Sequence, residues 1–399
     1  MRAQEFFTGS CAGMLQFWFP SVPNPVVSRR ALIQGAALAV GAPMLQRGRF
    51  SLFAQTGLAY SAAAIELIQH STVIDMLGLL TLNYPKLESW IAQPARFTSQ
   101  DLARLRASGI TIFHPAVGFT GRNVYYASSR DIRGWNEFIA CHPGDFLRID
   151  TPAHVAQAKA SGRLGIVIGQ QNSLHFRTVD DVDRFYQLGQ RVSQLTYDDN
   201  AIGGGSTDPR NIGLTPYGAQ IVDRMNRLGM AVDVSHCSDR TTLDAIEASR
   251  KPVLVTHSNC RALVSAPRCK TDEAIRALAT KGGVMGITMV RGFVQASGPA
   301  TIDDVLNHID HVANLVGVEH VGIGSDVDLD GRDAHIRPRK RFDLDGIDYS
   351  RKIFDLTEGL LRHKYSPEHI RLILGGNFER ALASIWTPEP VALPAETKS

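Results

Sequence analysis

Eight short apolar runs, separated by stretches of helical period, constrain this chain more than any other feature. The runs are STVIDMLGLL, GITIFHPAV, RLGIVIGQQ, RVSQLTYDD, MAVDVSH, PVLVTHS, GGVMGITMV and HVGIGSD. Their apolar residues are continuous rather than alternating, the pattern of strands covered on both faces in a parallel sheet. Between them, TSQDLARLRASG, TPYGAQIVDRMNRLG and TDEAIRALATKGG each begin at a Ser or Thr cap and end at a glycine, the start and stop signals of a helix. TIDDVLNHIDHVANLVG repeats Ile302, Val305, Leu306 and Ile309 at helical spacing, an apolar face for packing on a sheet. Eight such units predict an α/β fold, a single-domain (β/α)8 TIM-like barrel over residues 60–387. A doubly wound open sheet is the alternative, but it expects a glycine-rich phosphate turn after the first strand, and DMLGLL is not one.

A chain of 399 residues with 44% hydrophobic content can fill such a core. Its formal charge of +3 is near neutral, with no Lys/Arg-rich block and no basic–aromatic interleaving, so no nucleic-acid partner is expected. The five cysteines form no CxxC pair, which argues against a disulfide framework.

Residues 1–54 read as an extension and a signal rather than as part of the domain. In VVSRRALIQGAALAVGAPML, Arg29 and Arg30 precede a short Ala/Gly-rich apolar run, and Ala54 in SLFAQ offers a small cleavage position. This is the pattern of a twin-arginine export signal, which predicts a periplasmic protein and the twin-arginine export machinery as a partner. The apolar run is too short and glycine-rich for a stable membrane span. The competing reading is an amphipathic first helix with solvated arginines. The Pro/Glu-containing tail, 388–399, is expected to be disordered.

Active sites of such barrels lie at the C-terminal ends of the strands. The last polar residues of the runs are His114 on the second, Gln170 and Gln171 on the third, and Tyr197, Asp198 and Asp199 on the fourth. His236 and His257 end the fifth and sixth, and Asp326, followed by Asp328, ends the eighth. A lone histidine at a strand end is ordinarily a cap or a hydrogen-bonded core residue. Two on neighbouring strands, with a carboxylate on the eighth, are placed to bind Zn2+. Cys237, Cys260 and Cys269 lie near these positions; thiolate ligation competes there with plain core packing.

GMAVDVSHCSD, PVLVTHSNCRALVSAPR, GGVMGITMV, HVGIGSDVD and LGGNFERAL, in this order, resemble the membrane (renal-type) dipeptidase family, zinc peptidases on an amidohydrolase-like barrel. The resemblance runs from about residue 70 to 387. It implies that His236 and His257 hold one zinc and that Asp326 binds the substrate amine and handles protons. It also implies that Arg268 grips the substrate carboxylate, a task suited to a guanidinium fork. The family's first-strand His-x-Asp pair falls on Leu77 and Leu79 here, its bridging glutamate on Gln171, and its substrate-facing histidine on Tyr197. Neither leucine can donate a lone pair, so one ion rather than two is expected, with Gln171, water or a carboxylate completing its shell. His114, Asp198 and Asp199 are the residues that could compensate.

The reading that follows is a periplasmic metal-dependent dipeptidase-like hydrolase acting on dipeptides or small peptide-like metabolites. A second is a catalytically degenerate relative that binds or helps mature a peptide-derived metabolite, for instance in siderophore processing. A lactonase or deaminase ranks below both, since the first strand has no HxH motif and the fourth no evident lysine. The oligomeric state stays open, with a homodimer the ordinary outcome for barrels of this kind.

Overall fold

The computed structural model describes residues 60–330, 343–347 and 349–387. The expected export signal and the C-terminal tail lie outside the described residues. Twelve strands are present among them: β1 (Ile74–Asp75), β2 (Gly78–Leu79), β3 (Ile112–Phe113), β4 (Phe146–Arg148), β5 (Leu164–Ile166) and β6 (Gly169–Gln170), then β7 (Val192–Gln194), β8 (Ala231–Asp233), β9 (Leu254–Ser258), β10 (Val284–Ile287), β11 (Val321–Ile323) and β12 (Val327–Asp328).

Ten of these form one sheet in the order β4-β5-β3-β1-β11-β10-β9-β8-β7-β6. Every pairing in it is parallel, from Asp75 opposite Ile323 to Gly169 opposite Val192. β5 and β6 are halves of one run, RLGIVIGQQ, interrupted only at Val167 and Ile168. The two ends of the order therefore meet in a single stretch of chain, and the sheet closes on itself. The closed ring is β1, β3, β5/β6, β7, β8, β9, β10 and β11, the eight runs of the sequence and the barrel they predicted.

The helices start where the side chains say they should. Thr98 and Thr301 form capping boxes with Asp101 and Asp304, each satisfying amides that the first turn leaves unpaired. Thr215 caps Pro216–Leu228, which ends at Gly229 with φ of 79°, a left-handed stop that favours glycine. Two features were not visible in the sequence. β4 adds a ninth strand outside the ring, pairing with β5, because three residues are too few to show a period. β2 pairs with β12 beyond the barrel mouth.

The first residues of the strands, among them Ile74, Ile112, Val192, Ala231, Leu254 and Val284, form one apolar layer with Phe378, Leu382 and Ile385 of the C-terminal helix Asn377–Ile385. That helix closes the bottom of the barrel, so polar strand-end groups are confined to the opposite mouth. No described helix is long and apolar enough to cross a membrane.

Candidate active site

His257 is an inward member of β9, and His236 follows β8 by three residues. Their Nε2 atoms are 3.1 Å apart. Two nitrogens bound tetrahedrally to one zinc at ~2.05 Å would stand about 3.3 Å apart, so the pair already has the spacing of two ligands of one ion. His257 is fully buried, and His236 keeps some surface toward the pocket. Burial first, then the neighbouring Arg268 cation, holds both imidazoles well below 6.5. Both rings are therefore neutral at neutral pH, the form a cation requires.

The scaffold under the pair is polar and dense. Asp233, buried at the end of β8, accepts the Ser235 and Thr256 amides (2.9 and 3.0 Å) and the hydroxyls of both residues (2.5 and 2.7 Å). Arg268, buried, donates to the carbonyls of Ser235 (2.5 Å) and His257 (2.7 Å). Lys270, fully buried and pushed down to about 8 by burial, donates to the Val234 and Cys237 carbonyls and to Thr242 Oγ1. Each histidine-bearing segment is thus tied from both sides. Glycines bring β9, β10 and β11 close: a Cβ at Gly286 or Gly324 would lie 2.1 or 1.8 Å from the Thr256 carbonyl oxygen.

Asp326 stands at the end of the eighth barrel strand in the left-handed region, φ 58°, with its amide donating to the Leu77 carbonyl at 2.7 Å. Few residues other than glycine, asparagine and aspartate accept that conformation. Burial drives its carboxyl up to about 7; the Arg268 charge opposes this and Asp75 adds to it. A carboxyl poised there exchanges protons at physiological pH. Tyr197 stacks on the His236 ring at 4.1 Å and 23°, and its phenol feels the charges of Asp326 and Arg268. His236, His257, Tyr197, Arg268 and Asp326 thus share one mouth.

The remaining candidates sit as follows. Leu77 and Leu79 are buried and offer no donor atom; the buried carboxylate beside them, Asp75, accepts the Leu77 and Ser325 amides and the Ser325 hydroxyl. Gln171 donates its amide to the Ala116 carbonyl (2.8 Å) and lies with Tyr197 around Gly118, leaving Oε1 as its ligand-capable atom. His114 is buried with Nδ1 on the Met76 carbonyl (2.8 Å) and Nε2 unpartnered. Asp199 accepts from the Gly205 amide and pairs with Arg210, so it caps its own loop; Asp198 is exposed. Gln170 donates to Asp131 on the flanking helix, away from the strand end. Thiol chemistry gains no support: burial raises Cys237, Cys260 and Cys269, the last to about 11. Among the described residues no three or more His, Cys, Asp or Glu side chains gather closely enough to hold an ion, so the histidine pair must draw further ligands from elsewhere. Asp233 and Lys270 went unnoticed in the sequence. The hydroxyl residues before the two histidines, Ser235 and Thr256, were the available signal for the first, since both bond its carboxylate.

Residues 62–389 match the family model of the membrane dipeptidases, peptidase family M19. The chain belongs to that family, a family of metallopeptidases. The dipeptidase verJ of Clonostachys rogersoniana is 34% identical over 239 residues, 59% of this chain. The chain spans 59% of that relative's length. Among solved structures, an amidohydrolase from Pseudomonas aeruginosa superposes with a TM-score of 0.67 at 28% identity, covering 81% of this chain and 99% of that one. The probable dipeptidase PvdM of the same organism superposes with a TM-score of 0.69 at 18% identity, covering 82% and 98%, a likeness of fold.

Proposed function

We propose that this chain is a metal-dependent dipeptidase-like hydrolase, exported to the periplasm by its arginine-pair signal and working with a single zinc. The observation that carries the reading is the neutral imidazole pair, 3.1 Å apart, in one mouth with Asp326 at about 7. His236 and His257 would hold the ion, with Gln171 Oε1 in reach of the same mouth. A bound zinc would supply Lewis acidity toward an amide carbonyl and toward water. Asp326 takes a proton in its ionised form and returns it to the departing amine. Arg268, with N–H groups beyond the two that hold carbonyls, supplies positive charge for the carboxylate end of a small substrate. Tyr197 walls the other side of His236.

The first-strand corner is why one ion is proposed. A second cation there would face two leucines, with the nearby Asp75 carboxylate already engaged by the Leu77 and Ser325 amides and the Ser325 hydroxyl. The same observation favours the second reading, a relative that binds a peptide-derived metabolite without cleaving it. Zinc-loaded protein is expected to hydrolyse members of a panel of L,L-, L,D- and cyclic dipeptides, and His257→Ala to abolish that turnover. No hydrolysis of any member, with one zinc bound, would leave the binding reading in its place.

A further inference from the structure

Ser235 and Thr256 each precede one of the two histidines, and both hydroxyls converge on the Asp233 carboxylate. Counting hydrogens through this network fixes more than packing. An ionised carboxylate only accepts. Ser235 Oγ lies 2.5 Å from Oδ1 of Asp233 and Thr256 Oγ1 lies 2.7 Å from Oδ2, against 3.1 Å between the two hydroxyl oxygens; the carboxylate is the nearer and stronger acceptor, so both hydroxyl hydrogens are assigned to it. With its hydrogen on Asp233, Thr256 Oγ1 has only lone pairs left for His257 Nδ1, at 2.8 Å. That nitrogen must carry the ring hydrogen. A neutral imidazole has one such hydrogen, so Nε2 is bare, and Nε2 is the atom that faces His236 at 3.1 Å.

We infer that Asp233 and Thr256 are positioning residues: a carboxylate–hydroxyl–imidazole relay holds His257 as its Nδ1–H tautomer and aims the Nε2 lone pair into the site before any ion arrives. The relay does the work that a carboxylate or carbonyl bonded directly to a ligating histidine does elsewhere, with one hydroxyl interposed. Ser235 completes it by accepting the His257 amide (3.1 Å), which fixes the ring's own backbone. In the ion-free protein the bare Nε2 accepts from His236 Nε2–H, and a cation takes the place of that hydrogen bond. The use of the bare nitrogen rests on the proposed single-zinc site; the tautomer itself does not.

The test uses full-length metal-free protein labelled with 15N-histidine, reading each ring nitrogen as protonated or bare from its shift and long-range proton couplings. Wild type is expected to show His257 with a protonated Nδ1 and a bare Nε2. Thr256→Val, which keeps the shape and removes the relay, should convert His257 to a mixed or Nε2–H population, and Thr256→Ser should restore it. Zinc affinity should fall ~10–100-fold in Thr256→Val and recover in Thr256→Ser. Asp233→Asn serves as a second probe of the tautomer if it folds. A wild-type His257 found as Nε2–H, or a tautomer unchanged in Thr256→Val, overturns the relay. If the tautomer responds but the protein takes up no zinc, the relay stands and the zinc-hydrolase reading falls.

Discussion

Replacing Asp326 by asparagine tests the site through stability as well as through rate. Position 326 has φ 58°, and asparagine occupies that region as readily as aspartate, so the change removes a charge without straining the backbone. In the folded protein the carboxyl is raised from its ordinary 3.8 to about 7. A group raised in this way contributes stability that is fully present below pH ~4 and lost as pH climbs through 7, because the buried carboxylate must then carry its charge. The whole shift corresponds to about 4 kcal/mol. The residue keeps some surface toward the pocket, and water there relieves part of the cost, so roughly 2–4 kcal/mol is the expected gain for Asp326→Asn at pH 8. Urea denaturation of metal-free wild type and variant at pH 4 and pH 8 reads it directly. The midpoints should nearly coincide at the lower pH and separate at the higher, with the variant more stable, while its zinc-loaded activity falls ~100-fold or more. A difference independent of pH, or a variant less stable at pH 8, would refute the burial of an ionisable Asp326.

Three further outcomes follow from the same geometry. With Asp326 as proton acceptor, kcat/KM of the zinc-loaded enzyme should rise with pH and level off below the metal-free value of about 7, because a bound dication in the same mouth favours the ionised carboxylate; a profile without an acid limb would exclude that role. Leu77→His with Leu79→Asp should raise bound zinc from one ion per chain to two by elemental analysis, at a stability cost of about 2–4 kcal/mol for breaking buried apolar packing; an unchanged ratio would mean the corner has closed in other ways. Lys270→Met leaves three buried acceptors without their donor and should cost about 1–3 kcal/mol in urea denaturation. Because burial lowers the lysine from 10.5 to about 8, its charge weakens the fold as pH falls through 8, so the wild type should gain on the variant as pH rises from 8 toward 10.5.

The ring of eight strands was legible because each run is largely apolar on both faces, a pattern that burial between helices and sheet imposes. His236, His257 and Asp326 were legible as polar residues closing apolar runs, although the same position does not oblige a side chain to face the mouth: Gln170 turns to Asp131 instead. What escaped notice depends on partners distant in the sequence. β4 has only three residues and gains its strand character from β5. Asp233 reads in sequence as one more polar residue in MAVDVSH, yet it binds a threonine 23 positions away. Lys270 gave no signal in the sequence, since a buried cation is recognisable only once the carbonyls around it are seen. Of the two carboxylates named as able to compensate, Asp199 accepts the Gly205 amide and pairs with Arg210 within its own loop, an arrangement set by local chain geometry after β7.

The carboxylate between the two hydroxyls has a consequence for how such a protein lives. In small zinc-dependent domains the ion organises the chain, and chelation unfolds them. Here Asp233, the Ser235 and Thr256 hydroxyls, Lys270 and Arg268 hold the histidine-bearing segments through hydrogen bonds to protein groups, so a chelator is expected to remove activity without unfolding the barrel. If the proposed zinc binds, its occupancy would then follow the supply of metal in the surroundings, and stripping and recharging would be expected to leave the melting transition of the barrel in place.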